Sequence, residues 1–360
     1  MIIVCLLLLA LSAWYVPARL KKMSVLNAVL PWGTAFLLFL AGYPLLLMSG
    51  AYTADNRLMA WLYNLYGLFF IFYVCFFLFL MAAHLLTPWL KKIPGRRMVT
   101  LGLTIAFMYV GFGFLYAQTF IETNFNISVK GLERPVKIAH IPDLHLGAQR
   151  GEAYLAKVIT AVNARKPDIV LLNGDLVDSN IALRPALFSL FKNLTAETYF
   201  TLGNHEHYLN TPKALELIEG AGIKILHNEM FETHGLQLIG LEYMNADRAT
   251  RDSHRVNDLT IEEELPKISR RADKASLLMH HSPVGLKYVA EGRIDIMLSG
   301  HTHGGQLFPG TLLAQMQFPL NKGLYKNQNT WFLVSQGAGT FGPWMRLGTS
   351  NEIQFITLAP

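Results

Sequence analysis

Four long stretches almost free of charge fill the first third of this 360-residue chain and restrict its folding more than any other feature. They run about Ile2–Val16, Leu30–Ala51, Met59–Leu86 and Val99–Phe120. A helix needs about 20 apolar residues to cross a hydrocarbon core about 30 Å thick, and the last three runs reach that length. A buried helix of a soluble core seldom runs so far without a charge. The first run is shorter. No basic segment precedes it and no small-residue cleavage site follows it, so it reads as an uncleaved fourth span rather than a signal peptide. The expectation is an all-α transmembrane domain of about four helices over residues 1–122. With 52% of residues hydrophobic and 16% charged, a disordered or collagen-like chain is excluded. The only cysteines, Cys5 and Cys75, sit inside the apolar runs, so no disulfide scaffold exists.

Charge then fixes orientation. The chain carries a net +6, and all of it lies in residues 1–122, where eight Lys and Arg face only Asp55 and Glu122. The remainder balances at zero, which removes the basic surface a nucleic-acid partner would require. Arg19, Lys21 and Lys22 follow the first run, and Lys91, Lys92, Arg96 and Arg97 follow the third, whereas the second loop has only Arg57 beside Asp55. Positive loops stay cytoplasmic, so loops one and three are inside. A multi-pass protein results, with everything after residue 122 on the extracytoplasmic side. Trp14, Trp32, Trp61 and Trp89 fall near span ends, where aromatic rings suit the headgroup region.

From residue 136 the texture changes to short β-branched runs separated by amphipathic segments. Strands are expected at Val136–Ile141, Ile169–Asn173, Tyr199–Leu202, Ile223–Leu226, Gln237–Leu241, Ser276–Met279, Ile294–Leu298 and Trp331–Ser335. Helices are expected at Glu152–Arg165, Pro185–Asn193 and Pro212–Gly220. Alternation of this kind makes an α/β domain over residues 136–360, with 123–135 as linker.

The chemistry lies directly after those strands. Asp143 and His145 close the first, Asn173-Gly174-Asp175-Leu176-Val177-Asp178 the second, and Gly203-Asn204-His205-Glu206 the third. His280-His281-Ser282-Pro283 and Gly300-His301-Thr302-His303-Gly304-Gly305-Gln306 close two later ones. Carboxyl ends of neighbouring strands converge on one sheet edge, where open α/β proteins place their sites. Glycines 174, 203 and 300 permit tight turns and close backbone approach. Asp143, His145, Asp175, Asn204, His281, His301 and His303 make seven oxygen and nitrogen donors. That is too many for one tetrahedral ion and about right for two ions sharing a carboxylate. Such a pair suits hydrolysis of a phosphate ester or anhydride.

The five blocks in this order resemble the calcineurin-like metallophosphoesterases. Gly-His-Thr-His-Gly-Gly-Gln and residues 337–346, Gly-Ala-Gly-Thr-Phe-Gly-Pro-Trp-Met-Arg, are similar to its membrane-associated, YkuE-like branch. The resemblance covers Val136 to the C-terminus and implies a four-layer αββα sandwich with two divalent ions, Mn²⁺, Fe or Zn²⁺. By that resemblance Asp143, His145 and His303 hold one ion and Asn204, His281 and His301 the other, with Asp175 bridging. His205 then stands as proton donor, and Asp178 fixes a ligand or His205. His281 is preferred over His280 because the family pattern is His-x-Pro. Pro142 departs from the small hydroxyl residue usual before the first aspartate.

The activity expected is hydrolysis of a phosphomonoester or pyrophosphate by a hydroxide bridging the metals, on a phosphorylated, lipid-linked or membrane-proximal substrate among membrane lipids. Two alternatives stand beside it. One is a cytoplasm-facing pyrophosphatase of a nucleotide-linked lipid precursor of the UDP-diacylglucosamine type. The other is a non-enzymatic membrane protein with a regulatory domain. His207 and Arg346 are candidate substrate contacts, against loop and surface roles. His140, His227, His234 and His254 read as packing or surface residues. Phe308, Met316, Phe318, Leu320, Phe341 and Trp344 form an unusually apolar loop set, suited to a bilayer, an acyl chain or plain loop packing.

Overall fold

The computed structural model describes residues 2–27, 29–48, 56–90, 92–250 and 255–360. Ala51, Asp55, Lys91 and His254, which entered the reading above, lie outside them. The chain forms two compact units, Met1–Leu115 with Gly342–Met345, and Tyr116–Phe341 with Arg346–Pro360.

In the first unit every apolar run is helical: Ile2–Lys22, Leu30–Met48, Arg57–Leu85 and Gly95–Tyr116. The basic residues Arg19, Lys21 and Lys22 gather in the last turn of the first helix, where the macrodipole favours them. Ala13, Val16, Leu20, Leu40, Tyr73, Phe76 and Leu80 pack together with Val99 and Ala106. Ser12 Oγ and Tyr73 OH, 2.9 Å apart, satisfy each other inside that packing. By length and composition two helices, Leu58–Leu85 and Gly95–Tyr116, suffice to cross a membrane. They turn Trp61, Phe69, Phe107, Phe112 and Leu115 outward, a surface that water would oppose and hydrocarbon would not. The fourth run is displaced from expectation, since its helix starts at Gly95 and stops at Tyr116.

Among the described residues the second unit contains twelve strands: β1 (Phe120–Ser128), β2 (Val136–Ile141), β3 (Ile169–Asn173), β4 (Glu197–Thr201), β5 (Lys224–Ile225), β6 (Glu229–Thr233), β7 (Leu236–Gly240), β8 (Ser276–Met279), β9 (Ile296–Ser299), β10 (Gly323–Asn327), β11 (Thr330–Val334) and β12 (Asn351–Ala359). They form two mixed six-stranded sheets, ordered β1-β12-β2-β3-β4-β5 and β10-β11-β9-β8-β7-β6. Residues 123–135 are therefore not simply a linker. Phe120–Ser128 pairs in parallel with β12 along its whole length, and the polar alternation Glu122, Asn124, Asn126 belongs to a sheet edge.

Strand alternation builds four layers. In β3, Ile169 and Leu171 face the second sheet, joining Ile138, Tyr199, Leu238, Leu277, Ile296, Leu298 and Leu333 in a shared core. Val170 and Leu172 face the other way, onto Leu155, Val158 and Val162 of helix Glu152–Ala164 and Ile218 of helix Thr211–Gly220. On the far side of the second sheet, Ile239, Leu278, Met297 and Phe332 meet Ile261, Leu265 and Val289 from short helical turns. The helix–sheet–sheet–helix order matches the expected sandwich.

Leu171 is fully buried between the sheets. Leu171→Ala should cost about 2–5 kcal/mol, read as a lower melting temperature of the full chain. Leu313→Ala, at an exposed position, should change stability by less than about 0.5 kcal/mol.

Candidate metal centre

The turns that follow the strands are unusual in their backbone. Asp143, His145, Asp175, His301 and His303 all hold positive φ, between 49° and 69°. For residues with a Cβ this region costs of order 1–3 kcal/mol each, so something must hold them there. Asp143 N–H donates to Gly174 O at 3.0 Å, His145 N–H to Asp175 O at 3.0 Å, and Leu146 N–H to Leu176 O at 2.9 Å. Asp143 in turn accepts the His301 N–H, 3.0 and 3.1 Å from its two oxygens. The buried Glu206 carboxylate takes the N–H groups of Asp175 (3.0 Å), Leu176 (2.7 Å), Val177 (3.2 Å) and Gly203 (2.8 Å). One side chain thus staples the turn after β3 to the turn after β4.

Those turns aim their donors at one another. Asp143, His145 and His303 offer ligand atoms within 4.8 Å of each other, and so do Asp175, His281 and His301. A third group, His145, Asp175 and His205, makes Asp175 common to two of the three. His145 Nε2 lies 3.0 Å from His303 Nε2 and 3.9 Å from Asp143 Oδ1. His281 Nε2 lies 3.0 Å from Asp175 Oδ2 and 3.6 Å from Asp143 Oδ1. Donors about 2.0–2.2 Å from a shared ion fall at such separations.

The chemistry of the pocket also fits cations. Asp143 and Asp175 are essentially buried, and among the described residues their ion-pair partners are all imidazoles. Asn204 Oδ1 is buried without a hydrogen-bond partner, a cost that coordination would remove. Oxygen and imidazole donors in this mixture accept Mn²⁺, Fe or Zn²⁺.

Supporting contacts orient the rings. His281 Nδ1 donates to Asn173 O at 2.7 Å, which leaves Nε2 for the cluster. Asp178 Oδ1 stands 2.8 Å from His205 Nδ1 and 3.3 Å from His145 Nδ1. Burial disfavours a charged imidazole at His205, yet Asp175 and Asp178 outweigh it and hold the pKa at about 9. Burial opposes and the same two imidazoles, His145 and His205, overcome it at Asp178, whose carboxyl sits well below its usual range.

Six of the seven expected ligands, Asp143, His145, Asp175, His281, His301 and His303, fall in these donor groups, as does His205; Asn204 follows β4, and Asp178 stands against His145 and His205. His280 points elsewhere, its Nδ1 2.7 Å from Ser282 O and its Nε2 accepting the Met244 N–H. His207 is half-buried and in none of the donor groups. Arg346 departs from expectation. It is fully buried, and its guanidinium donates to His303 O (2.7 Å), Gly339 O (2.6 Å), Gln336 O (2.5 Å) and Asn351 Oδ1 (3.1 Å), with His303 Nδ1 at 2.9 Å. It braces the His303 loop, with its N–H groups already engaged, rather than reaching for a substrate phosphate. Buried His140 bonds Gln354 (2.9 Å), and His227 (2.5 Å to Glu242) and His234 (2.9 Å to Arg134) make surface contacts. Leu320 packs into the second sheet's outer core, and Trp344 belongs to the helical unit, against Trp61 and Phe114. Glu206 escaped the sequence reading, although it stands inside a motif that drew attention.

A two-sheet α/β sandwich with histidines and carboxylates converging at its strand ends defines a metal-dependent phosphoesterase architecture. The family model described as calcineurin-like phosphoesterase matches residues 136–305. A metallophosphoesterase of Campylobacter jejuni is 33% identical over 240 residues, covering 65% of this chain and 62% of that one. YkuE of Bacillus subtilis is 27% identical over 232 residues, covering 62% and 78%. A transmembrane protein with metallophosphoesterase domain from Danio rerio is 32% identical over 236 residues, covering 62% and 53%. The chain belongs to the calcineurin-like metallophosphoesterase family.

Two glycines test the packing of the centre. A Cβ at Gly203 would lie 2.2 Å from Asp175 Oδ1, and one at Gly300 2.2 Å from Asp143 Oδ2. Gly203→Ala and Gly300→Ala should each lower metal affinity by about 10–100-fold or more, measured by metal titration of the purified chain. Gly220→Ala, where a Cβ meets nothing within 4 Å, should bind as the wild type.

Proposed function

We propose that this chain is a membrane-anchored, dinuclear metal-dependent hydrolase of phosphomonoesters or pyrophosphates, acting on a membrane-proximal substrate. The observation that carries the reading is Asp175, a buried carboxylate common to two donor groups. Asp143, His145 and His303 would hold one ion and Asn204, His281 and His301 the other, with Asp175 between. When bound, two such ions neutralise phosphoryl oxygens and supply a water acidified enough to attack phosphorus.

The protein's own groups then divide the remaining work. Asp143 and Asp175 bring carboxylate oxygens to the middle of the imidazole cluster, where cations would be drawn. Asp175 and Asp178 favour the protonated form of His205, and Asp178 grips Nδ1 at 2.8 Å, leaving Nε2 to be presented. That imidazolium can release its proton to the leaving oxygen as the P–O bond breaks. Placing the catalytic unit on the extracytoplasmic side follows from the basic residues around the first and third loops, with four spans as the working count.

Asp175→Asn and His303→Ala should each lower turnover of an aryl phosphate by more than about 10²-fold while the melting curve persists. Wild-type turnover with normal metal content would refute the centre. His205→Ala should cost more on an alkyl than on a nitrophenyl phosphate, because only the poor leaving group needs the proton.

Orientation is read separately. In a background lacking Cys5 and Cys75, a cysteine at Asn327 should label from outside intact cells and one at Ile93 should not. The reverse pattern would support the cytoplasm-facing pyrophosphatase instead.

A further inference from the structure

The loop that leaves His303 runs through residues 304–321 without a single charged side chain. Its helix, Gly310–Gln317, buries none of its residues. Leu312, Leu313 and Met316 stand out of it, 51%, 44% and 78% exposed, with Phe308 at 54% just before. An apolar cluster of this kind on the surface of a water-soluble fold marks a place where something apolar binds.

Its position tells what that is. Phe318, at the end of the helix, packs edge-on against His301 with ring centres 5.7 Å apart. Phe341, from the neighbouring loop, packs edge-on against His205 at 5.3 Å and tilts over His145 at 6.3 Å. Phe318 therefore stands at one donor group and Phe341 at the other two. Gln306 fastens the two loops together: its Nε2 donates to Phe341 O at 2.7 Å and its Oε1 accepts the Phe341 N–H at 2.9 Å. The exposed helix thus lies in the loop that links His303 to Phe318, and Gln306 ties that loop to Phe341 beside the centre. A phosphate held at the centre must lay its organic part on whatever lines the opening. A sugar or nucleotide would need polar partners, and residues 304–321 offer few.

We propose that helix Gly310–Gln317 with Phe308, Phe318 and Phe341 is the seat for the leaving group, and that the substrate is the phosphate ester of a long-chain or lipid alcohol. This rests on the hydrolase reading above and narrows it to one substrate class.

The test uses the full chain in lipid nanodiscs, with added Mn²⁺ and a series of n-alkyl phosphates from butyl to decyl below their micellar concentrations. Burying each methylene is worth at most about fourfold in kcat/KM, so the wild-type decyl-to-butyl ratio should reach on the order of 10². In Leu312→Ser/Leu313→Ser/Met316→Ser the same ratio should fall by about tenfold or more. Partition into the disc is equal for both proteins, so the comparison reads the helix. A flat wild-type series overturns the proposal, as does a steep one that the triple variant leaves unchanged. If no ester is hydrolysed with Mn²⁺, Zn²⁺ or Fe²⁺, the hydrolase reading itself fails, and this proposal with it.

Discussion

Three buried carboxylates, Asp143, Asp175 and Glu206, and the partly exposed Asp178 stand around one site, and the second unit is arranged around keeping them there. Anions removed from water are costly unless each is given donors or opposite charge. Glu206 takes its hydrogen bonds from backbone N–H groups: burial, with Asp175 adding, pushes its carboxyl up, and the Gly203 amide, the His281 imidazole and the Val177 amide pull it back. Asp178 is answered by two imidazoles. Asp143 and Asp175 are answered by the imidazoles of the donor groups, the same rings that a bound cation would engage. A site built this way spends folding free energy to create a demand for cations.

That demand can be met only where two sheets meet. The first sheet sends Asp143, His145, Asp175, Asn204 and His205 from the ends of β2, β3 and β4, and the second sends His281, His301 and His303 from β8 and β9. Cross-sheet bonds set the alignment. Asn173, the last residue of β3, donates through Nδ2 to Leu298 O at 2.7 Å and accepts His281 Nδ1–H on its carbonyl at 2.7 Å. The shared core of Ile138, Leu171, Leu277 and Leu298 lies directly behind these bonds. A slip of either sheet by one residue would invert its faces and separate the halves of the centre together.

The same arrangement explains what could be read without coordinates. Central parallel strands are buried on both faces and appear as aliphatic runs, so β2, β3 and β8 coincide with expectation residue for residue. Edge strands are different: β1 carries Glu122, Asn124 and Asn126 and resembles a tether, and β6 and β10 are short and polar. β12 hides because Asn351, Glu352 and Gln354, all buried, break its apolar pattern. Among the centre's residues, those placed just after strands were legible, since position and donor chemistry coincided. The left-handed turns at Asp143, His145 and His303 were not, because these are Cβ-bearing residues held by partners distant in sequence. Arg346 misled for a related reason. A lone arginine after a glycine-rich loop resembles a phosphate contact, and only the folded loop reveals the inward partners that engage it.

Arg346 also ties the metal centre to the apolar rim. Its guanidinium, lowered to about 9 by burial with Arg150 adding, would be a poor choice for the interior if packing alone were required. It holds the carbonyls of Gln336 and Gly339 on one side and of His303 on the other. Gly339 precedes Phe341 by two residues, and His303 begins the uncharged loop that ends at Phe318. One buried cation therefore fixes the ring that stands over His205 and the backbone from which the exposed helix departs. An apolar residue of equal volume could fill the space, but it would leave those carbonyls unsatisfied and free the two loops to separate. The placing of the donor groups and of the apolar surface beside them is consequently set by the same strut.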